Sequence, residues 1–358
     1  MNTPSVTITI LAYRSKETIQ QCIASALALI YEGQIDIRIL EQGEDAEEFR
    51  IIQDSLPPGG IMKNRSVFLT RGENIGFAAG HNALIRESDT DFILCLNADA
   101  VLLQDFLLSA MPPFHDPSVG AVQGKVLRWK NGGRPLPTIR YGLPPAVDDE
   151  QESIIDTTGL LPLRNRRIIN RGQGEIDSEK FNVQGEIFGP DGAVPLYRRA
   201  ALNDVAVPLG KQKEYFDESF FTYKEDVDLA WRLQWRGWKT VYVPKAVAWH
   251  GRGSGDSAAH TPLRIIAERR KISPKAKYYS FANQRLMQIK NESVSALSRD
   301  FFPWAVKECG AWLFALLSEA GTVPALLRIL RLLPSALRKR SWIMAHRKSD
   351  ANPYHWFT

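Results

Sequence analysis

The residues able to carry chemistry gather in three places. The densest is Phe216-Asp217-Glu218-Ser219-Phe220-Phe221-Thr222-Tyr223-Lys224-Glu225-Asp226-Val227-Asp228-Leu229, with five carboxylates and four aromatics in fourteen residues. A carboxylate beside a bound hydroxyl can take its proton, although acidic residues in a first helical turn also simply complement the helix dipole. If a helix starts near Glu225, Asp226 and Asp228 lie about 200° apart, so one can face a pocket while the other serves the structure. Asn97-Ala98-Asp99 ends an apolar run and sets a carboxylate where a hard cation and its phosphates can be held; Asn-x-Asp is also common in turns. His250 closes Ala246-Val247-Ala248-Trp249 and precedes a glycine-rich stretch. That placement suits a metal or phosphate ligand, against the commoner packed or surface histidine.

Regular elements must bring these places together. Residues 6–12 read as a strand and Ser15 as the N-cap of an amphipathic helix over 16–29; 35–40, 67–69 and 92–96 read as strands and 76–87 as a helix. This alternation predicts an α/β fold with a mostly parallel sheet flanked by helices. Ligands in such sheets bind beyond the carboxyl ends of the strands, which singles out Tyr13-Arg14, Glu41-Gln42, residues 71–74 and Asn97-Ala98-Asp99. Residues 131–180, rich in Gly, Pro and charge, read as an irregular insertion and a candidate mobile loop over a site. Strand 192–197, a helix over 225–236 and short strands at 240–243 and 246–249 follow.

A chain of 358 residues with 44% hydrophobic and 24% charged residues can bury a core, which excludes disordered, collagen-like and coiled-coil readings. Cys22, Cys95 and Cys309 are too dispersed for a disulfide framework or a zinc ribbon, and a reducing compartment is expected. The amino terminus lacks the basic region and apolar length of a signal peptide. No run reaches the roughly 20 apolar residues of a spanning helix, so the protein is expected not to cross a membrane. The net charge of +5 hides an asymmetry: residues 262–349 hold 17 Lys/Arg against 5 Asp/Glu. A body over 1–261 and a helical, basic region over 262–358 are therefore expected. Its helices at 278–290, 303–318 and 323–340 set Leu326, Leu327, Leu330 and Leu333 against Arg328, Arg331, Arg338, Lys339 and Arg340. They read equally as a membrane-interface helix or a packing helix with a solvated face.

Taken in order, Asn74-x-Gly76-Phe77-Ala78-x-Gly80-x-Asn82, Asn97-x-Asp99, Gly192 with Arg198-Arg199, Phe216-Asp217-Glu218 through Glu225-Asp226-Val227-Asp228-Leu229, and Gly237-Trp238 through His250 resemble a family 2 inverting glycosyltransferase. More narrowly, they resemble the rhamnosyltransferase-like branch that builds bacterial cell-surface polysaccharides. The resemblance covers about residues 5–290 and implies a GT-A fold, one nucleotide-binding α/β domain whose second half builds the acceptor site.

It further implies that Asp99, with His250, holds a divalent cation (Mg2+ or Mn2+) on the donor diphosphate, Asn97 standing where the first Asp of a D-x-D motif commonly is. Asp226 would be the catalytic base. Ala12, Tyr13, Arg14, Glu41, Asn74, Gly76, Phe77, Asn82 and Asn97 would bind the nucleotide-sugar donor, with Glu41 toward the base. Gly192, Glu225 and Trp249 would lie on the acceptor side. The implied acceptor is a glycan or lipid-linked glycan, which favours contact of the basic helices with an anionic membrane surface. The expected place is cytoplasmic, peripheral on the inner face of the cell membrane. A nucleic-acid or scaffold role would want stacking aromatics among Lys/Arg on a strand face, and a sugar-phosphate nucleotidyltransferase would want a Gly-rich signature where Ala12-Tyr13-Arg14-Ser15 stands. No nucleic-acid partner is expected.

Overall fold

The computed structural model describes residues 3–43, 45–129, 153–251 and 261–358. Continuous apolar runs such as Phe92-Ile93-Leu94-Cys95-Leu96 cannot face water on either side, which suits them to the middle of a helix-covered parallel sheet. In chain order the strands are β1 (Val6–Ala12), β2 (Ile35–Glu41), β3 (Ile61–Met62), β4 (Arg65–Arg71), β5 (Phe92–Asn97), β6 (Ala100–Leu102), β7 (Val119–Arg128), β8 (Ile154–Thr157), β9 (Leu160–Pro162), β10 (Ile168–Asn170), β11 (Gly185–Ile187), β12 (Pro195–Arg198), β13 (Val207–Leu209), β14 (Gln212–Glu214) and β15 (Lys239–His250). The main sheet runs β11-β15-β7-β12-β5-β1-β2-β4-β3, with β6 on β15 and β8 on β7. Its centre is parallel, as expected, and β12 enters antiparallel between β5 and β7.

Register decides where the polar strand ends fall. Ala12 stands opposite Glu41, Glu41 opposite Arg71, and Leu11 opposite Asn97, so β1, β2, β4 and β5 finish on one edge.

The helices are α1 (Ile19–Leu27), α2 (Ala46–Asp54), α3 (Gly76–Arg86), α4 (Phe106–Ala110), α5 (Arg199–Val205), α6 (Glu225–Trp235), α7 (Pro262–Lys271), α8 (Pro274–Asn291), α9 (Val294–Arg299), α10 (Phe301–Ser318) and α11 (Ala325–His346). Ile19, Cys22, Ile23, Ala26 and Leu27 put the apolar face of α1 in the core beside β1 and β5. The helix starts later than residue 16 because the Ser15 hydroxyl donates to Glu48 instead of capping.

Two readings of the chain change. Residues 131–152 of the expected insertion lie outside the described residues, but 153–180 hold three short strands among turns: β8 pairs antiparallel with β7, Ile155 opposite Leu127, and Ile155 is fully buried. Strands of three or four residues are too short to show a period. The two strands expected at 240–243 and 246–249 are one, β15, with a register shift between Val243 and Val247 where Pro244 has no N–H for the ladder.

The apolar core crosses residue 261. Trp231 and Trp235 of α6 pack in one cluster with Phe281, Leu286 and Met287 of α8, Ile329 and Ile343 of α11, and Tyr354 and Phe357 beyond it. Much of the basic charge of this region is spent internally. Lys339 is buried, donating to Glu214 at 2.8 Å and Asp217 at 2.6 Å, and Arg340 donates to the Ile289 and Glu292 carbonyls. Arg331 and Arg338 remain at the surface. Among the described residues no helix is long and apolar enough to cross a membrane.

Candidate active site

A cleft of about 580 Å³ opens at the strand-end edge, lined among others by Tyr13, Arg14, Lys16, Phe77, Asn97 and Asp99. Arg14 holds a left-handed φ of +56°, which its β1-to-α1 turn requires. Glu48 of α2 pins that turn, accepting from the Arg14 N–H at 3.0 Å and the Ser15 N–H at 2.8 Å. Arg14 and Lys16 thus border the cleft, the Lys16 ammonium pairing with Glu47 at 3.0 Å. Gly76 has φ +88°, and a Cβ there would come within 2.5 Å of the Phe221 carbonyl oxygen, so only glycine fits where α3 starts. The Asn74 carbonyl oxygen Oδ1 accepts from the Gly76 N–H and shapes the same turn.

His250, at the end of β15, is fixed from both sides. Its Nδ1 lies 2.9 Å from Asp156 Oδ2 and its Nε2 lies 3.2 Å from Asp99 Oδ1, with the Asn97 amide 3.3 Å from the same nitrogen. Burial works against a charged imidazolium here, but Asp99 and Asp156 outweigh it and push the ring up to about 10.

A divalent cation would replace the proton between Asp99 and His250. The donor set fits one: a hard carboxylate oxygen and an imidazole nitrogen, the ring oriented by a second carboxylate on its other nitrogen. Among the described residues no three His, Cys, Asp or Glu side chains are grouped to hold a metal. A cation with six ligands would therefore take the rest of its shell from water and diphosphate oxygens.

Asp226 reaches the same edge through a short chain of backbone contacts. The Asn97 N–H donates to the Ala193 carbonyl at 3.0 Å, the Gly192 N–H donates to Asp226 Oδ2 at 3.1 Å, and the Ala193 N–H donates to Asp191 Oδ1 at 2.9 Å. Burial, and then the neighbouring Asp191 carboxylate, push Asp226 up to about 6 despite nearby Lys224. A carboxylate so poised is half deprotonated at pH about 6 and mostly deprotonated near neutral pH, where it can accept a hydroxyl proton. Glu225 is raised well above the usual carboxylate range by burial and then by Asp226, and its Oε2 has no hydrogen-bond partner among the described residues. Asp228 points the other way. Fully buried, it accepts from Arg232 at 3.0 Å, Asn291 at 2.8 Å and Lys290 at 2.7 Å.

Of the residues singled out from sequence, Tyr13, Arg14, Phe77, Asn97 and Asp99 line the cleft, and Asp226, Gly192 and His250 adjoin it through the contacts above. Asn74 and Gly76 shape the turn before α3, Glu225 precedes Asp226, and four more are taken up by the fold. Ala12 is in the core beneath the sheet edge. Asn82 is fully buried, and its amide binds the Phe216 backbone and Glu218, tying α3 to the acidic segment. Glu41 is buried with one oxygen on Arg71 and the other on the Gly43 N–H, so its length is used inside the strand-end turn. Trp249 packs against Leu127, Ile155 and Phe181, because neighbours on a strand face opposite ways and His250 takes the cleft side. Glu48, Asp156 and Asp191 were not legible as site residues. Asp156 sits in a segment without periodicity, and each acts through a partner distant in the chain.

A sequence model described as glycosyltransferase like family 2 matches residues 4–264. The poly-beta-1,6-N-acetyl-D-glucosamine synthase of Staphylococcus aureus strain COL is 27% identical over 246 residues, 68% of this chain and 49% of that protein. Its namesake in Staphylococcus epidermidis is 27% identical over 239 residues, 66% of this chain and 47% of that protein. The chain thus spans about half the length of the curated relatives it matches. In structure it resembles S. aureus TarS 1-349, with TM-score 0.51, 13% identity and coverage of 98% of this chain and 89% of that one. It also resembles GalNAc-T7 with UDP, GalNAc and Mn2+, with TM-score 0.50, 10% identity and coverage of 88% and 58%. At these identities the likeness is one of fold, and that fold is GT-A.

Proposed function

Because the chain belongs to glycosyltransferase family 2, we propose that it moves a sugar from a nucleotide-diphosphate donor to a hydroxyl of a glycan or lipid-linked glycan by a single inverting displacement. The observation that carries this reading is the half-buried Asp226 carboxylate, raised to about 6 and bonded to Gly192 one residue from the backbone contact with Asn97. Asp226 takes the proton of the acceptor hydroxyl as that oxygen attacks the anomeric carbon, and the nucleoside diphosphate leaves with the bonding electron pair. No enzyme nucleophile is needed, since one displacement inverts the centre. Arg14 attracts the diphosphate at the cleft mouth, and Phe77 offers an apolar wall to the donor. Asp99 and His250 would hold a divalent cation there, which supplies Lewis-acid neutralisation of the diphosphate charge; the Mn2+ in GalNAc-T7 supports that choice.

Peripheral contact with an anionic membrane belongs to the same reading. Phe302, Leu313 and Leu317 of α10 and Leu327 and Leu330 of α11 are exposed, α11 carries no Asp or Glu, and Arg331 and Arg338 flank the leucines. An apolar, carboxylate-free face with arginines at its border suits a lipid surface bearing the acceptor.

The test is a donor screen. The chain is incubated with dTDP-rhamnose, UDP-GlcNAc and GDP-mannose, with Mg2+ or Mn2+ and a glycan acceptor panel, and nucleoside diphosphate release is followed. Release from one donor class, lost in Asp226→Asn, is expected; equal release by that variant removes Asp226 from the role.

A further inference from the structure

Three of the four residues leading into α6 hold backbone conformations that side chains disfavour: φ is +66° at Phe221, +69° at Tyr223 and +75° at Lys224. None is glycine, so the turn persists only because its surroundings over-determine it. One side chain of α8 does much of this. Asn283, fully buried, places Nδ2 2.9 Å from the Phe220 carbonyl oxygen, 2.8 Å from that of Thr222 and 2.9 Å from that of Tyr223. The amide nitrogen carries two hydrogens for three acceptors, so at least one is shared. A residue of the basic region thereby collects three carbonyls of a four-residue stretch some 60 positions earlier in the chain.

The turn touches both halves of the site. The Phe221 carbonyl accepts from the Ala78 N–H at 3.3 Å and lies against Gly76, beside the Phe77 that lines the cleft. At its other end the turn runs directly into Glu225 and Asp226. Seven and eight residues after Asn283, two turns along α8, Lys290 and Asn291 hold Asp228. One helix thus grips the chain on both sides of Asp226.

We infer that Asn283 is a positioning residue for sugar transfer: it holds the 220–224 turn in its disfavoured form and so sets the Asp226 carboxylate against the donor cleft. This rests on the role proposed for Asp226, and it gives the basic helices a part in turnover that is separate from membrane contact.

The test compares the full chain with Asn283→Ala and the near-isosteric Asn283→Asp. The readouts are hydrogen exchange of peptides over 216–230, thermal melting, binding of UDP with Mn2+, and nucleoside diphosphate release across the donor panel. Exchange over 220–228 is expected to rise at least tenfold while β1 and β5 keep wild-type protection. The rate constant kcat is expected to fall about tenfold or more with UDP affinity within twofold. The acidic limb of kcat/KM is expected to move to lower pH, because a loosened turn lets water reach Asp226. Wild-type exchange over 220–228 in a folded variant overturns the inference whether or not any donor is turned over. So does a uniform rise in exchange across the whole chain, which marks a merely structural residue. If neither variant folds, Tyr223→Gly beside Asn283→Ala relieves a strained position without restoring the clamp. Reduced kcat in that double variant supports the inference, and wild-type kcat overturns it.

Discussion

The Gly192 N–H donates to Asp226 Oδ2 at 3.1 Å, which joins the segment entering β12 to the first turn of α6, the two residues being in van der Waals reach, since a Cβ at Gly192 would lie 3.4 Å from the Asp226 Cβ. Through this bond the position of the carboxylate follows the sheet and not only its own helix.

Asp226→Asn removes the proton acceptor and keeps the shape. Turnover is expected to fall by about 10²-fold or more, the usual size of a lost acid–base group, with UDP binding unchanged by calorimetry. Near-wild-type turnover would move the role to a neighbour.

The rate should carry the titration of this carboxylate. A base works only when deprotonated, so kcat/KM is expected to rise with pH through about 6. Asp191→Asn takes away a negative charge that raises Asp226, and the limb should shift to lower pH; a limb unmoved by that substitution would separate the two groups.

Nucleotide binding should depend on the pair at the end of β5 and β15. Asp99→Ala is expected to abolish the Mn2+-dependent part of UDP affinity. Asp156→Asn, which leaves the cation ligands intact but loosens the His250 ring, should weaken it by roughly tenfold. Both are read from UDP titrations with Mn2+ and with chelator; equal affinity in the two conditions for the wild-type chain would exclude a cation there.

Gly76→Ala is expected to destabilise the fold by about 2 kcal/mol or more, since the new Cβ meets the Phe221 carbonyl at 2.5 Å and φ is +88°. Urea unfolding midpoints check it, and a loss below about 0.5 kcal/mol would mean that the 221 turn yields.

The exposed leucines and the buried lysine of the carboxyl-terminal helices should part company. Leu327→Gln with Leu330→Gln is expected to cut sedimentation with phosphatidylglycerol vesicles at low salt and to leave the melting temperature in place. Lys339→Met instead uncovers Glu214 and Asp217 and should cost on the order of 3 kcal/mol of stability. Vesicle binding unaffected by the leucine changes would assign that face to something other than lipid.

What could be read from the chain depended on how local the cause was. β1, β2 and β5 were legible because their burial is continuous, and Asp99, Asp226 and His250 because each ends or starts such an element. Helical geometry alone sets Asp226 and Asp228 on different sides, and the two do point apart, but which of them faces a substrate was implied only by the family resemblance. The orientation of His250 was not legible, because Asp156 lies in a four-residue strand among glycines and charges. Counting charge gave the sign of the carboxyl-terminal region but not its pairing: Lys290 and Lys339 serve the acidic segment of residues 214–228 and face no solvent. Asn82 fits the motif in order and type and Glu41 in position, standing where an Asp is usual, yet their hydrogen bonds are taken up by the fold.

Gln234 of α6 accepts from the Trp356 indole across 122 residues of chain, and Tyr354 and Phe357 close the same cluster around Trp231 and Trp235. During synthesis, α6 therefore leaves the ribosome long before the residues that cover it. The sheet can form early, while the cover of the helix bearing Asp226 is completed only when α8 and then residues 354–357 have emerged. Long-range closure of this kind is slow and leaves a sticky intermediate. Yield of folded protein should accordingly respond to chaperone supply and growth temperature, and a chain stopped near residue 264, where the family match ends, would remain in that unfinished state.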